Sequence, residues 1–385
     1  MNKNILWGII GVCLIIILAA LFINRVNPFI LGVNKDSTKE DVKVGAALAL
    51  TNYCSTWGED ELKSIELAVE EANLGGGING RKIELVSEDT ACSPKGTVNA
   101  VAKLIDANGV EIIIGPTWGD SFQGGFILSN NKKIPAVSPS AAMEALISNN
   151  APIDYVFSTY FPQDDEISAI QDYMNKTGKK NIVIMHDQDP FGLVVMDIFK
   201  KGASSHDIKI IKEYIIPSNS SDFRTKIVEL KALNPDGIYA SFLEPKKKGA
   251  FLKQAHELGL NAQLFSSTDI QDNDILAQFG PVLDGVIYTY PKPTDRYANF
   301  EEKFVSKYSI KPSGPTVTNA YDATNMVIEA LREHYKDGDE LKTILERISV
   351  QGVTTDKIKF NDMHGLEKSE FQIKTIRDGK FIVVE

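Results

Sequence analysis

The chain has 385 residues, 43% of them hydrophobic and 24% charged, an ordinary balance for a folded protein and too long for one simple core. A formal net charge of −10, without a basic stripe interleaved by aromatics, argues against a nucleic-acid partner. Five scattered histidines and three cysteines give no zinc spacing, and there is no nucleophile elbow, no H-E-x-x-H and no P-loop, so the sequence asks for neither catalysis nor a cofactor.

The first element is apolar. Residues 5–23 (ILWGIIGVCLIIILAALFI) are 19 residues without a charge, about the length that crosses a hydrocarbon core as a helix. A cleaved signal peptide with small residues at Ala19-Ala20 is the rival reading; the uncleaved anchor is preferred, because no convincing polar segment precedes a cut. Residues 1–24 are therefore read as anchor or signal and 25–41 as a tether. Lys3 and Arg25 flank the span almost evenly, so the mass that follows it decides the orientation, and the bulk is expected on the extracytoplasmic side.

Beyond the tether, short apolar strands alternate with amphipathic helices. VKVGAALAL (42–50) reads as a strand, followed by a helix from about Glu61 with Leu62, Ile65, Val69 and Ala72 at helical spacing. KIELVSED, a helix through Val98, Val101, Leu104 and Ile105, VEIIIG and IPAVS follow. A second series runs through NIVIMHD (181–187), DIKIIKEYII, DGIYASF (236–242), AQLFSSTD (262–269) and LDGVIYTY (283–290), with helices between. Two β-α-β series predict an α/β protein of two doubly wound parallel-sheet lobes. Ligands of such sheets sit beyond the carboxyl ends of the strands.

Several motifs take a structural reading. Gly75-Gly76-Gly77-Ile78-Asn79-Gly80 matches G-x-G-x-x-G but follows a helix and precedes a strand, so it is a turn and not a pyrophosphate cradle. Lys246-Lys247-Lys248 reads as a solvated helix start, and Asp164-Asp165 as an exposed one. Cys54 and Cys92 both follow predicted strands and are either a disulfide or two free thiols.

The ordered set of LAVEEANLGGGINGRKIELVSEDTACSPKGTVNAVAKLI (67–105), IIIGP (112–116), IPAVSPSAA (134–142), HDQDPFG (186–192), SDFRTKIVELKALNPDGIYAS (221–241) and TNAYDA (318–323) resembles the type I periplasmic binding proteins of the leucine/isoleucine/valine-binding branch. The resemblance implies two lobes joined by three hinge crossings, near Phe161, Pro291 and Val353. Lobe 1 would comprise 42–161 plus 291–352, and lobe 2 would comprise 162–290 plus 353–385. It also implies a monomer that closes on a small amino-acid-like ligand and delivers it to an ABC permease.

In such relatives two lobe-1 loops grip the ligand's carboxylate. They correspond here to Thr117, Trp118, Gly119, Asp120 and Ser121, and to Ser138, Pro139, Ser140, Ala141 and Ala142. Gly119 and Ala142 stand where amino-acid binders of this branch usually carry serine and threonine, so two hydroxyl contacts are lost while backbone amides remain. Asp269 matches the acidic position that receives the ligand's ammonium, Phe191 an aromatic that covers the ligand, and Glu244 a further pocket position. Trp57, Trp118 and Tyr53 lie on predicted strand-end loops and would line the pocket with flat apolar surface.

Overall fold

A computed structural model describes residues 40–384, apart from 119–122, 218 and 313 and the side chain of Pro245. Asp41 onward forms one compact unit. The expected anchor and most of the tether lie outside the described residues, among which no helix is long and apolar enough to cross a membrane.

The first sheet contains β1 (Val42–Leu48), β2 (Ile83–Asp89), β3 (Ile112–Ile114), β4 (Ala136–Ser138) and β5 (Val156–Ser158), in the order β2-β1-β3-β4-β5 and parallel throughout. Its helices begin with α1 (Ser55–Leu74), α2 (Pro94–Ala102), α3 (Gly124–Lys132) and α4 (Met143–Ser148). β1 is apolar at consecutive positions because both of its faces are covered. Val44, Ala46 and Leu48 join one core, while Ala47 joins Val101, Leu104 and Phe126 in another. Gly77, at φ 71°, ends α1 where a Cβ would lie 2.0 Å from the Arg81 carbonyl oxygen, so the glycine run is a turn, as its position after a helix predicts.

The second sheet contains β6 (Asn181–Asp187), β7 (Lys209–Ile216), β8 (Gly237–Ser241), β9 (Gln263–Ser266), β10 (Ile287–Pro291), β11 (Phe371–Arg377) and β12 (Lys380–Val383). Their order is β12-β11-β10-β9-β8-β6-β7. With it come α5 (Gln163–Lys176), α6 (Pro190–Ala203), α7 (Arg224–Leu233), α8 (Pro245–Glu257) and α9 (Asn273–Phe279). This sheet corrects the all-parallel expectation. β11 runs antiparallel to β10, and β12 returns antiparallel to β11 through Asp378-Gly379, both at positive φ. Asp-Gly is the residue pair that a two-residue hairpin favours.

Between β10 and β11 the chain forms α10 (Tyr297–Tyr308), α11 (Pro315–Arg332) and α12 (Gly338–Arg347), and α11 and α12 pack into the core of the first sheet. That core also takes in Ile358, Phe360 and Leu366. Asp322 on α11 accepts the amides of Val353 and Thr354 at 2.9 and 3.0 Å and holds that segment to the first lobe. The chain therefore stays with the first lobe past Val353, where a crossing was expected, and leaves it only after Leu366. Two α/β lobes result, each with its own sheet.

Candidate ligand-binding site

The cleft lies where the carboxyl ends of the two sheets come together. On the first-lobe side, Cys54 precedes α1 and is disulfide-bonded to Cys92, with the Cα atoms 6.0 Å apart. α1 starts at Ser55, six residues before its predicted start. Gly58 makes this possible: a Cβ there would lie 2.1 Å from the Ala49 carbonyl oxygen, so only glycine lets the helix begin against the end of β1. Trp57 thus sits on a helix and not on a loop.

After β3 the chain turns at Trp118, which is buried at φ 53°. The Trp57 ring meets the Trp118 ring edge-on with centroids 4.5 Å apart, and Tyr53 lies 5.8 Å from it. Aromatic pairs of this kind add about 0.5–1.5 kcal/mol beyond their buried area. The Trp118 amide donates to Ser140 Oγ at 3.1 Å, whereas its buried indole N–H has no hydrogen-bond partner among the described residues.

Tyr53, Cys54, Thr56, Trp57 and Trp118 form one wall of a cavity of about 170 Å³. Glu244, Lys246, Asp272, Asp274, Ile275 and Gln278 form the other. That volume is well under the ~300 Å³ at which pockets for drug-sized molecules begin, and it suits a small solute. The walls also touch. The Trp57 indole donates to the Asp272 carboxylate, and Thr56 Oγ1 donates to Asp274 Oδ2 at 3.3 Å.

Several carboxyls in the two lobes are buried. On the first-lobe side, Thr117 Oγ1 accepts the Ala49 amide at 3.1 Å and donates to Glu61 Oε2 at 2.5 Å. Burial pushes Glu61 up to about 8, against the pull of the Thr117 and Ser140 hydroxyls. In the second lobe, Glu166 Oε1 receives the Thr268 amide at 2.8 Å, Thr268 Oγ1 at 2.6 Å and Thr289 Oγ1 at 2.7 Å. Asp269, in the turn after β9, is 4% exposed. Burial raises its pKa, while the Lys248 ammonium and the Ser267 and Tyr160 hydroxyls oppose the shift. Its Oδ1 has no hydrogen-bond partner among the described residues, nor does the nearby Tyr239 hydroxyl.

The expected residues divide into groups. Trp57, Trp118 and Glu244 line the cavity, Glu244 as the residue that precedes α8, and Asp269 lies in the buried polar set. Gly119, Asp120 and Ser121 lie outside the described residues. The Ser140 and Ala141 amides, expected to face the ligand, instead donate to Ser138 Oγ at 3.3 and 3.0 Å, and Ser140 serves as acceptor for Trp118. Ala141 and Ala142 are buried in apolar cores. Phe191 is buried with Tyr160, Val195 and Phe199, and neither it nor Asp269 is among the residues that line this cavity.

The lysine run departs most from its expected place. It does start a helix, but Lys247 and Lys248 are buried. Lys247 Nζ binds the Asp187 carboxylate and the Pro217 carbonyl, the latter at 2.7 Å. Helical geometry turns successive side chains about 100° apart, so three adjacent lysines cannot share one solvated face. That periodicity, with a strand end immediately before it, was the available signal. Asp272 and Glu61 were also missed. Asp272 has the sequence signal of a helix cap, and its carboxylate accepts the Asp274 and Ile275 amides at 2.8 and 2.9 Å.

The family model described as "Periplasmic binding protein" matches residues 41–379. The chain belongs to the periplasmic binding protein family. Members of this family bind solutes and are not catalysts. Among curated binding proteins, it is similar to the Leu/Ile/Val-binding protein of Escherichia coli K12, at 26% identity over 82% of this chain and 85% of the relative. It is also similar to the leucine-, isoleucine-, valine-, threonine- and alanine-binding protein of Pseudomonas aeruginosa, at 23% identity over 87% and 89%. Solved binding proteins share the fold. A leucine-binding protein from Thermotoga maritima superposes with a TM-score of 0.80 at 20% identity, over 89% of this chain and 98% of its own. A Rhodopseudomonas palustris solute-binding protein in complex with benzoate gives 0.78 at 22%, over 89% and 95%.

Proposed function

We propose that this protein is the extracytoplasmic receptor of an ABC uptake system and binds a small amino-acid-like solute, a branched-chain or aromatic amino acid or a close derivative, by closing two lobes on it. The observation that carries the reading is Asp269, a buried carboxylate in the turn after the central strand β9, with one oxygen unpaired among the described residues. A buried carboxylate is costly unless a cation or hydrogen-bond donor meets it, and a ligand ammonium supplies both. The tryptophan pair and Tyr53 supply an apolar wall for a side chain, and the buried Trp118 indole N–H offers a donor to the acid end. The E. coli and P. aeruginosa relatives, which bind branched-chain amino acids, support this class of ligand.

Closure would act through three passages of the chain between lobes, near Phe161, near Pro291 and between Leu366 and β11, with short connections swinging rigid lobes. The apolar residues 5–23 would hold the receptor to the membrane beside its permease, and the receptor would work as a monomer. Calorimetric titration with leucine, isoleucine, valine and phenylalanine tests the ligand class. Asp269→Asn is expected to weaken the best of them by well over tenfold, and unchanged affinity would overturn the assignment.

A further inference from the structure

Lys248 is not used by the reading above. It lies in the first turn of α8, is 2% exposed, and its ammonium has no hydrogen-bond partner among the described residues. The carboxylates within electrostatic range are Asp269, Asp272, Glu166 and Asp187, with Asp269 the strongest influence. Three of these are already engaged. Asp187 is held by Lys247 and the Leu243 amide, Asp272 by the first amides of α9 and by Trp57, and Glu166 by Thr268 and Thr289. Among the described residues, Asp269 alone of these four keeps a buried oxygen without a partner. One buried cationic donor and one buried anionic acceptor are thus close enough to influence each other, yet they form no hydrogen bond together.

We propose that Lys248 is a second charge-reading residue of the cleft, and that with Asp269 it selects solutes carrying a positive and a negative group side by side, as an α-amino acid does. The proposal rests on the amino-acid reading and narrows it. A simple amine would satisfy Asp269 but face the repulsion of Lys248. A simple carboxylate would satisfy Lys248 and meet the repulsion of Asp269. An adjacent ammonium and carboxylate answer both. Burial lowers the Lys248 pKa and raises that of Asp269, and a ligand bringing the opposite charge to each favours the ionised form of both.

The test is calorimetry on the full-length chain in mild detergent with two trios: leucine, 4-methylpentanoate and isoamylamine; and phenylalanine, 3-phenylpropanoate and phenethylamine. The wild-type protein is expected to bind one amino acid and to bind its acid and its amine at least a hundredfold more weakly. Lys248→Met should narrow the gap between amino acid and amine by about tenfold or more and leave the gap to the acid no smaller. Lys248→Gln, which keeps a neutral donor, gives the same readout if the methionine variant does not fold. A lysine that merely fills space would change all three affinities together. Wild-type binding of an amino acid with an amine ratio that neither variant moves overturns the role of Lys248 while leaving the receptor reading intact. Silence of both trios with the wild-type protein overturns the amino-acid reading, and this inference with it.

Discussion

At the scale of single residues, the carboxyl of Glu61 makes a measurable claim. Its folded-state pKa of about 8 lies above the ordinary value of 4.5, so between those limits the folded protein keeps a proton that the unfolded chain has lost. The stability this represents is fully present below about pH 4.5, declines as pH rises and levels off above about pH 8. Glu61→Gln keeps a neutral side chain at every pH. Relative to wild type it should therefore gain on the order of 3 kcal/mol between pH 5 and pH 8.5, read from urea melts. Asp322, raised to about 6, tilts both proteins the same way and cancels in the comparison. The candidate site was legible in the sequence chiefly through the family resemblance. Asp269 stood out because it matches an acidic position of the relatives, not because of its own surroundings in the sequence. Lys248 did not, because a run of lysines reads as solvent-facing until a helix is wound through it. The Ser140 and Ala141 amides are used by Ser138, a local hydrogen-bond choice that no spacing announces.

At the scale of elements, the start of α1 controls the aromatic wall. The Cys54–Cys92 disulfide and the contact of Gly58 with Ala49 both hold this start against the ends of β1 and β2. The cysteines are 38 residues apart, and the loop between them predicts that Cys92→Ser costs about 2–4 kcal/mol of stability in denaturant unfolding. Gly58→Ala forces a methyl group into backbone and should cost about 1–3 kcal/mol. If α1 shifts as a result, Trp57 moves with it, and the intrinsic fluorescence of the tryptophan pair should change in the folded state. The same region shows why strands were read from sequence more readily than helix starts. β1, β6 and β10 are continuous apolar runs because both faces of a central strand are covered, a strong signal. Helix α1 begins with Ser55, Thr56 and Trp57, where the apolar periodicity has not yet begun. β5 has only three residues and carries no pattern of its own.

At the scale of the whole molecule, the two lobes meet through Trp57 and Asp272 and through Thr56 and Asp274, all at the mouth of the cleft. The Thr56 bond is exposed and long at 3.3 Å, whereas Asp272 is buried. These contacts are expected to bias closure without locking it. Asp274→Ala should leave stability within about 0.5 kcal/mol and raise the ligand's dissociation rate in stopped-flow fluorescence, while an unchanged rate would remove these contacts from the closing mechanism. The two-lobed plan was legible from the two β-α-β series. The return of 353–366 to the first core was not, because short apolar residues such as Ile358 and Phe360 fit either sheet and only the donors around Asp322 decide between them.

The way the chain shuttles between lobes also bears on how the protein folds. The first core needs α11, α12 and Leu366, and the second sheet takes up β11 and β12 from beyond them. Neither lobe is one continuous stretch of chain, so neither can complete its core as an independent unit.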